Sequence, residues 1–170
     1  MESGAIPDDD ITASSTWDVA HQPYRGRLNG VAGVGAWSAG NNTTGEWLQV
    51  DLGEMKTVTG TIIQGRYHHD DHWVTSYKLQ CSVDGLSWIT HASSNGSEEV
   101  FPGNTDRSTP VTNLLDSPTD ARYVRFLPQS WHGHMSMRVE VLGCSDNGRF
   151  VLKVVALALD SLSFFYLRLD

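Results

Sequence analysis

Cysteine is almost missing from this chain: Cys81 and Cys144 are the only two among 170 residues. Two thiols without CxxC spacing make neither a disulfide scaffold nor a zinc knuckle, so cross-links do not set the fold. Basic charge is thin as well. Twelve Lys and Arg, no two of them adjacent, stand against 20 Asp and Glu, a formal charge of −8. Unaided attraction to a phosphate backbone is therefore not expected, and nucleic acid is excluded as a partner. The catalytic signatures GxSxG, HExxH, GxGxxG and the P-loop are all absent, which leaves hydrolase, metalloprotease and nucleotide chemistry without support. A His/Asp pair lies between Tyr67 and His72, but no nucleophile or oxyanion donor can be assigned beside it, so no enzyme is expected. Met1 runs straight into Glu2, Ser3 and Gly4 with no basic or apolar leader. No signal peptide is visible, and the chain reads either as cytosolic or as a piece of a longer secreted protein.

What is present is strand alternation. In Trp47 to Gly53, Leu48, Val50 and Leu52 alternate with Trp47, Gln49 and Asp51, the period of a strand with one face in a core. That face needs a second sheet to cover it. Similar runs are predicted at Ile11 to Ser14, Thr57 to Gln64, Trp73 to Val83, Trp88 to His91, Glu99 to Phe101, Val111 to Leu115, Arg122 to Leu127 and Ser136 to Leu142. Asp84-Gly85 supplies a hairpin turn. Short strands at this spacing, with almost no amphipathic helical stretch, predict an all-β sandwich in one domain.

Several residues follow from strand phase. Tyr77, Leu79, Cys81 and Val83 share the inward face, which makes Cys81 a buried thiol. Asp51 near a core requires a cationic partner, and Arg122, Arg125 and Arg138 are the candidates for a structural ion pair. Between Ser15 and Gly45 the chain is rich in Gly, Ser and Asn with isolated large residues and no period, a region of long loops. Beyond residue 146 the composition changes. Phe150 to Leu167 is apolar but holds Lys153 and Asp160, each costing about 2.5 to 3.5 kcal/mol near a bilayer centre. Residues 147–170 therefore read as an apolar C-terminal extension outside the domain, and 1–146 as the domain itself.

The motifs MESGAI at Met1, DITASS at Asp10, GAWSA at Gly35, EWLQVDLG at Glu46, VTGTIIQGR at Val58, WVTSYKLQ at Trp73, SVDGLSW at Ser82, FPGN at Phe101, ARYVRFLPQSW at Ala121 and MRVEVLGC at Met137 together resemble the discoidin domain, the coagulation factor V/VIII type C module. The resemblance implies a jelly-roll β-sandwich of about eight main strands. It also implies an extracellular or cell-surface module, part of a longer secreted chain, that binds membranes, glycans, collagen or other proteins through loops at one end. A cysteine just before the MESG position bonds the GC cysteine in this family. Cys144 matches the second, and the first would lie upstream of Met1.

The same resemblance implies that three loops, Thr16 to Gly26, Asn29 to Gly35 and Gly65 to His72, gather at the ligand end with His132 to His134 beside them. The expected ligand-binding residues are Trp17, Val19 and Tyr24 in the first loop and Val31 and Val34 in the second. Tyr67, His68, His69, Asp70 and His72 follow in the third, with His132 and His134 alongside. Aromatic rings beside carboxylates suit sugar recognition. Asp70 and Asp71 at a loop tip would be driven from an anionic surface, so a glycan or extracellular protein is expected ahead of phosphatidylserine membranes. Peripheral membrane binding through Trp17, Val19 and Val34 is the alternative. No cofactor is expected. A metal held by His68, Asp70 and His72, or calcium on Asp70 or Asp71, is the competing reading of the third loop. Asn41, Asn42 and Asn95 head N-x-Ser/Thr sequons, open to glycosylation in a secreted parent.

Overall fold

The computed structural model describes residues 1–68 and 70–145; His69 and the apolar C-terminal extension lie outside the described residues. Eight strands follow in order: β1 (Ile11–Ala13), β2 (Trp37–Ser38), β3 (Leu48–Gln64), β4 (Trp73–Ser82), β5 (Ile89–Thr90), β6 (Phe101–Pro102), β7 (Val111–His132) and β8 (Ser136–Ser145). The hydrogen-bonded order is β2-β8-β3-β7-β4-β5, with β1 on β3 and β6 on β4. Every pairing of these strands is antiparallel. The result is the jelly-roll sandwich that the alternation and the motifs predict.

Two strands are longer than their sequence pattern suggests. The runs on either side of Gly53 are one strand, β3, and the runs Val111 to Leu115 and Arg122 to Leu127 both lie within β7. At about 3.3 Å per residue, 17 residues would reach roughly 56 Å if straight, too far for a domain of this size, so β3 has to bend. It does so where its register against β7 slips, between Asp51 and Lys56 and again between Val58 and Gly60. Its first half pairs with β1 and the second half of β7, and its last half with β8 and the first half of β7. Strands that pass between layers through such irregularities close the sandwich at its corners.

Between the layers lies a core in which Trp37, Tyr77, Phe126, Leu48, Ile63, Leu79, Met135 and Met137 are fully buried. Cys81 joins it, and burial pushes its thiol up to about 11. Cys81 and Cys144 are both free, the first buried and the second exposed. Val83 departs from the expected inward phase: it is 59% exposed. β4 ends at Ser82, whose hydroxyl accepts the Gly85 N–H, so the chain has already turned when it reaches Val83. Asp51 sits half-buried toward the outer surface, where Arg122 grips it with two bonds of 2.9 Å. Arg125 instead bonds Gln49 and lies over Trp47 and Trp88. The third candidate, Arg138, is at the other end of the sheet and pairs with no carboxylate among the described residues.

One polar chain crosses the core. The Asn113 amide donates to the Tyr77 hydroxyl at 3.0 Å, and that hydroxyl lies 2.6 Å from Thr61 Oγ1. Removing the central oxygen takes a partner from Thr61 and leaves Asn113 with only the Pro102 carbonyl to donate to, in a low-dielectric interior. Tyr77→Phe is expected to lower the unfolding free energy by about 1 to 2 kcal/mol in urea denaturation, although it adds no cavity.

Candidate ligand-binding surface

Arg138, on β8 and 2% exposed, sits beneath the loops at one end of the sandwich. Its guanidinium donates to three backbone carbonyls: Gly65 at 2.7 Å, Arg107 at 2.9 Å and Gly30 at 3.2 Å. These belong to the third loop, to the segment before β7 and to the second loop. Burial pushes the guanidinium pKa down, and carbonyl dipoles take the place of the lost water. The Tyr67 ring lies over the same group at 5.6 Å.

Two neighbours add to this clip. Gln64, the last residue of β3, accepts the Asn29 N–H and donates to the Asn29 side chain and the Ser108 carbonyl. Arg66, also buried, donates to the Val34 carbonyl at 3.2 Å and to Asp70 Oδ2 at 2.9 Å. The second and third loops then meet directly. Tyr67 N–H donates to Gly35 O at 3.1 Å, and His68 Nε2 donates to Val31 O at 3.0 Å. Gly35 permits this approach: at φ +71° it has no Cβ, and one there would lie 2.7 Å from Tyr67 Cβ.

The first loop joins through Trp17, whose N–H donates to Ser38 O. The indole is stacked against His134 (centroids 4.4 Å apart) and His21 (5.0 Å), with His72 at 6.1 Å. His134 Nε2 donates to Ala39 O, and His21 Nδ1 lies 2.7 Å from Asp18. Hydrogen bonding to His21 holds the Asp18 carboxyl below its usual range. Gly133 lets the last segment close over His72, since a Cβ there would lie 2.5 Å from that ring. Asn42 fixes the segment from its other side by accepting Met135 N–H and donating to Gly133 O.

Most of the expected residues thus meet at one end. Trp17 (46% exposed), Val19 (88%), Val31 (52%) and Tyr67 (43%) present apolar surface there. His68, His72 and His134 lie among them, and His132 stacks flat on Trp73 at 4.3 Å. Tyr24 and Val34 do otherwise. Tyr24 is half-buried, packs against the core and lies under the Arg25 guanidinium, while Val34 is half-buried with its carbonyl on Arg66. His69 lies outside the described residues.

The third loop also differs electrostatically from its sequence. Asp70 is paired with Arg66 and Asp71 with Arg107 at 3.3 Å, so the repulsion expected from two bare carboxylates is largely cancelled. His68 and Asp70 are turned to Val31 and Arg66, so they and His72 do not converge on one point. Among the described residues no three His, Cys, Asp or Glu side chains are placed to hold a metal ion. Gln64, Arg66, Arg107, Asn29 and His21 are the contributors that spacing and periodicity did not single out. Their partners are backbone groups or distant side chains, which leave no local pattern.

Comparison with known proteins agrees with this geometry. The F5/8 type C domain family matches residues 10–141. Lactadherin of Rattus norvegicus is 43% identical over 151 residues, 85% of this chain and 35% of that protein. Retinoschisin of Takifugu rubripes is 40% identical over 86% of this chain and 54% of its own length. The structure of discoidin II from Dictyostelium discoideum aligns with a TM-score of 0.71 at 27% identity, covering 78% of this chain and 53% of that one. The chain belongs to the F5/8 type C, or discoidin, domain family, whose members are binding modules without catalytic activity. It spans between a third and about half the length of these relatives.

Two outcomes are expected of the site. Arg138→Met leaves three carbonyls unpaired and should cost on the order of 3 kcal/mol in urea denaturation, with Arg138→Lys recovering part of it. The second concerns pH. Burial, the largest influence, lowers the His72 pKa; Arg66, His134 and His132 lower it further, against an opposing pull from Asp70. A folded pKa below the free value of 6.5 means that the unfolded chain binds the proton more readily. The stability carried by neutral His72 is complete above that value and is lost as the pH falls from it through the lower folded pKa. The thermal midpoint should therefore drop between about pH 7.5 and 5.5, with a shallower slope in His72→Gln.

Proposed function

We propose that this chain is an extracellular recognition module that binds a glycan or protein surface through the loop end. The observation that carries the reading is Trp17. A large aromatic is left half-exposed, yet its backbone N–H is bonded to Ser38 O and its ring is held by neighbours that are themselves anchored. Exposed aromatics on a rigid support lose little entropy on binding and are common anchors of recognition. Around it lie imidazoles able to donate or accept, and Tyr67 with its polar tip. Apolar surface ringed by such groups suits a sugar or a polar protein surface.

A second reading rests on Val19 and Val31, two aliphatic tips that reach into solvent. With Asp70 and Asp71 paired, the third loop would bring no bare anionic charge to a bilayer, and Asp18 beside Val19 is the carboxylate left to oppose entry. A glycan array run beside vesicles with and without phosphatidylserine separates the two. The first reading expects binding to an array glycan or an isolated extracellular protein that falls at least about tenfold in Trp17→Ala. Salt-sensitive binding to phosphatidylserine vesicles alone, lost in Val19→Asp, would establish the second and overturn the first.

A further inference from the structure

β1 pairs with β3 along one edge only, and its other edge borders an open cleft of about 460 Å³. The cleft is lined by Ile11, Thr12 and Ala13 in succession, with Asp8 and Asp9 beside them and first-loop residues, Thr16 and Tyr24 among them, completing the wall. Successive strand residues point to opposite faces, so a cleft that touches three in a row runs along the strand's edge and not over a face.

Register determines which backbone groups look into it. Ser14 N–H donates to Trp47 O at 3.0 Å. In an antiparallel pair, alternate residues turn both their groups to the partner strand. Ser14 and Thr12 therefore bond β3, and Ile11 and Ala13 face the cleft. The Ile11 N–H is taken by the Asp8 carbonyl. Ala13 N–H, Ala13 C=O and Ile11 C=O are left without a hydrogen-bond partner among the described residues. An unpaired edge of this kind is a template for another strand.

Charge narrows the occupant. Asp8 is paired with Arg27 at 2.6 Å, while Asp9 is exposed and forms no ion pair among the described residues. Asp9 therefore carries the uncompensated charge at this end of the edge and attracts a cation. We propose that the β1 edge docks an extended, basic segment of a partner protein, which adds as a strand with a Lys or Arg at the Asp8–Asp9 end. The cleft shares Thr16, Gln22, Pro23 and Tyr24 with the first loop, but Trp17, Val19, Val31 and Tyr67 do not line it, so the proposal does not depend on what those exposed residues bind.

The probe is a capped heptapeptide of alternating threonine and valine with lysine at each end, titrated into the ¹⁵N-labelled protein. A saturable shift of the Ala13 amide is expected. Asp9→Lys should weaken binding about fivefold. Ala13→Pro, which removes an N–H that the β3 ladder does not use, should weaken it by a similar factor of about five. The same peptide N-methylated at alternate residues tests the hydrogen bonds with the protein unaltered, and should bind at least about fivefold more weakly. Four results would overturn the proposal: an N-methylated peptide that binds equally well, a glutamate-ended peptide that binds as tightly, no shift at Ala13, or an Ala13 shift that follows protein concentration without peptide. The last would assign the edge to a second copy. A Trp17→Ala protein should bind the peptide normally, so failure at the loop end is distinguishable from failure here.

Discussion

Arg138 is the constraint on which the rest of the structure depends. A guanidinium taken out of water is expensive unless its donors are met, and here three of its nitrogens find main-chain oxygens from three separate segments. A carboxylate partner would have neutralised the charge locally and bound one segment. Carbonyls do something different: each segment must hold its own curvature to present an oxygen at the right place. The second loop, the third loop and the approach to β7 are thus specified together from beneath. Gln64 and Arg66, on either side of Gly65, extend the same device by tying Asn29, Ser108 and Val34 to the end of β3.

The consequence is a surface built of loops that behaves as part of the frame. Trp17 keeps its partial exposure because Ser38, His134 and His21 hold it from within. Preorganisation of this sort lowers the entropy lost on binding. In the third loop the charges cancel in pairs, Arg66 with Asp70 and Arg107 with Asp71, which leaves apolar rings, imidazoles and the Asp18 carboxylate as the chemistry on offer. The β1 edge is different in kind, with unpaired backbone groups beside carboxylates.

Local patterns were legible in the sequence and long-range ones were not. Alternation over Leu48 to Leu52 and Tyr77 to Cys81 marked core faces because a strand's period is written in consecutive residues. The continuation of β3 through Gly53 was hidden, since a register slip breaks the period where the strand bends. Val83 was read as one more inward position, but the strand ends at Ser82 and the turn carries Val83 out to solvent. At the site, the loops that converge were readable through motif resemblance. The pairing of Asp71 with Arg107 was not, nor was a cation that answers only to carbonyls. Tyr24 looked like a tip residue because its loop is irregular, yet the short 3-10 turn at Pro23–Gly26 draws it toward the core.

Amide hydrogen exchange on the loop end tests whether these segments form one unit. The N–H groups of Trp17, Asn29, Tyr67 and Met135 each bond across from one segment to another. If the loops are joined as described, these four amides will exchange only through a shared opening, with protection close to that of the β-sheet core. Fast exchange of each at its own rate, with the sheet still protected, would mean that the loops move independently and that no common surface exists.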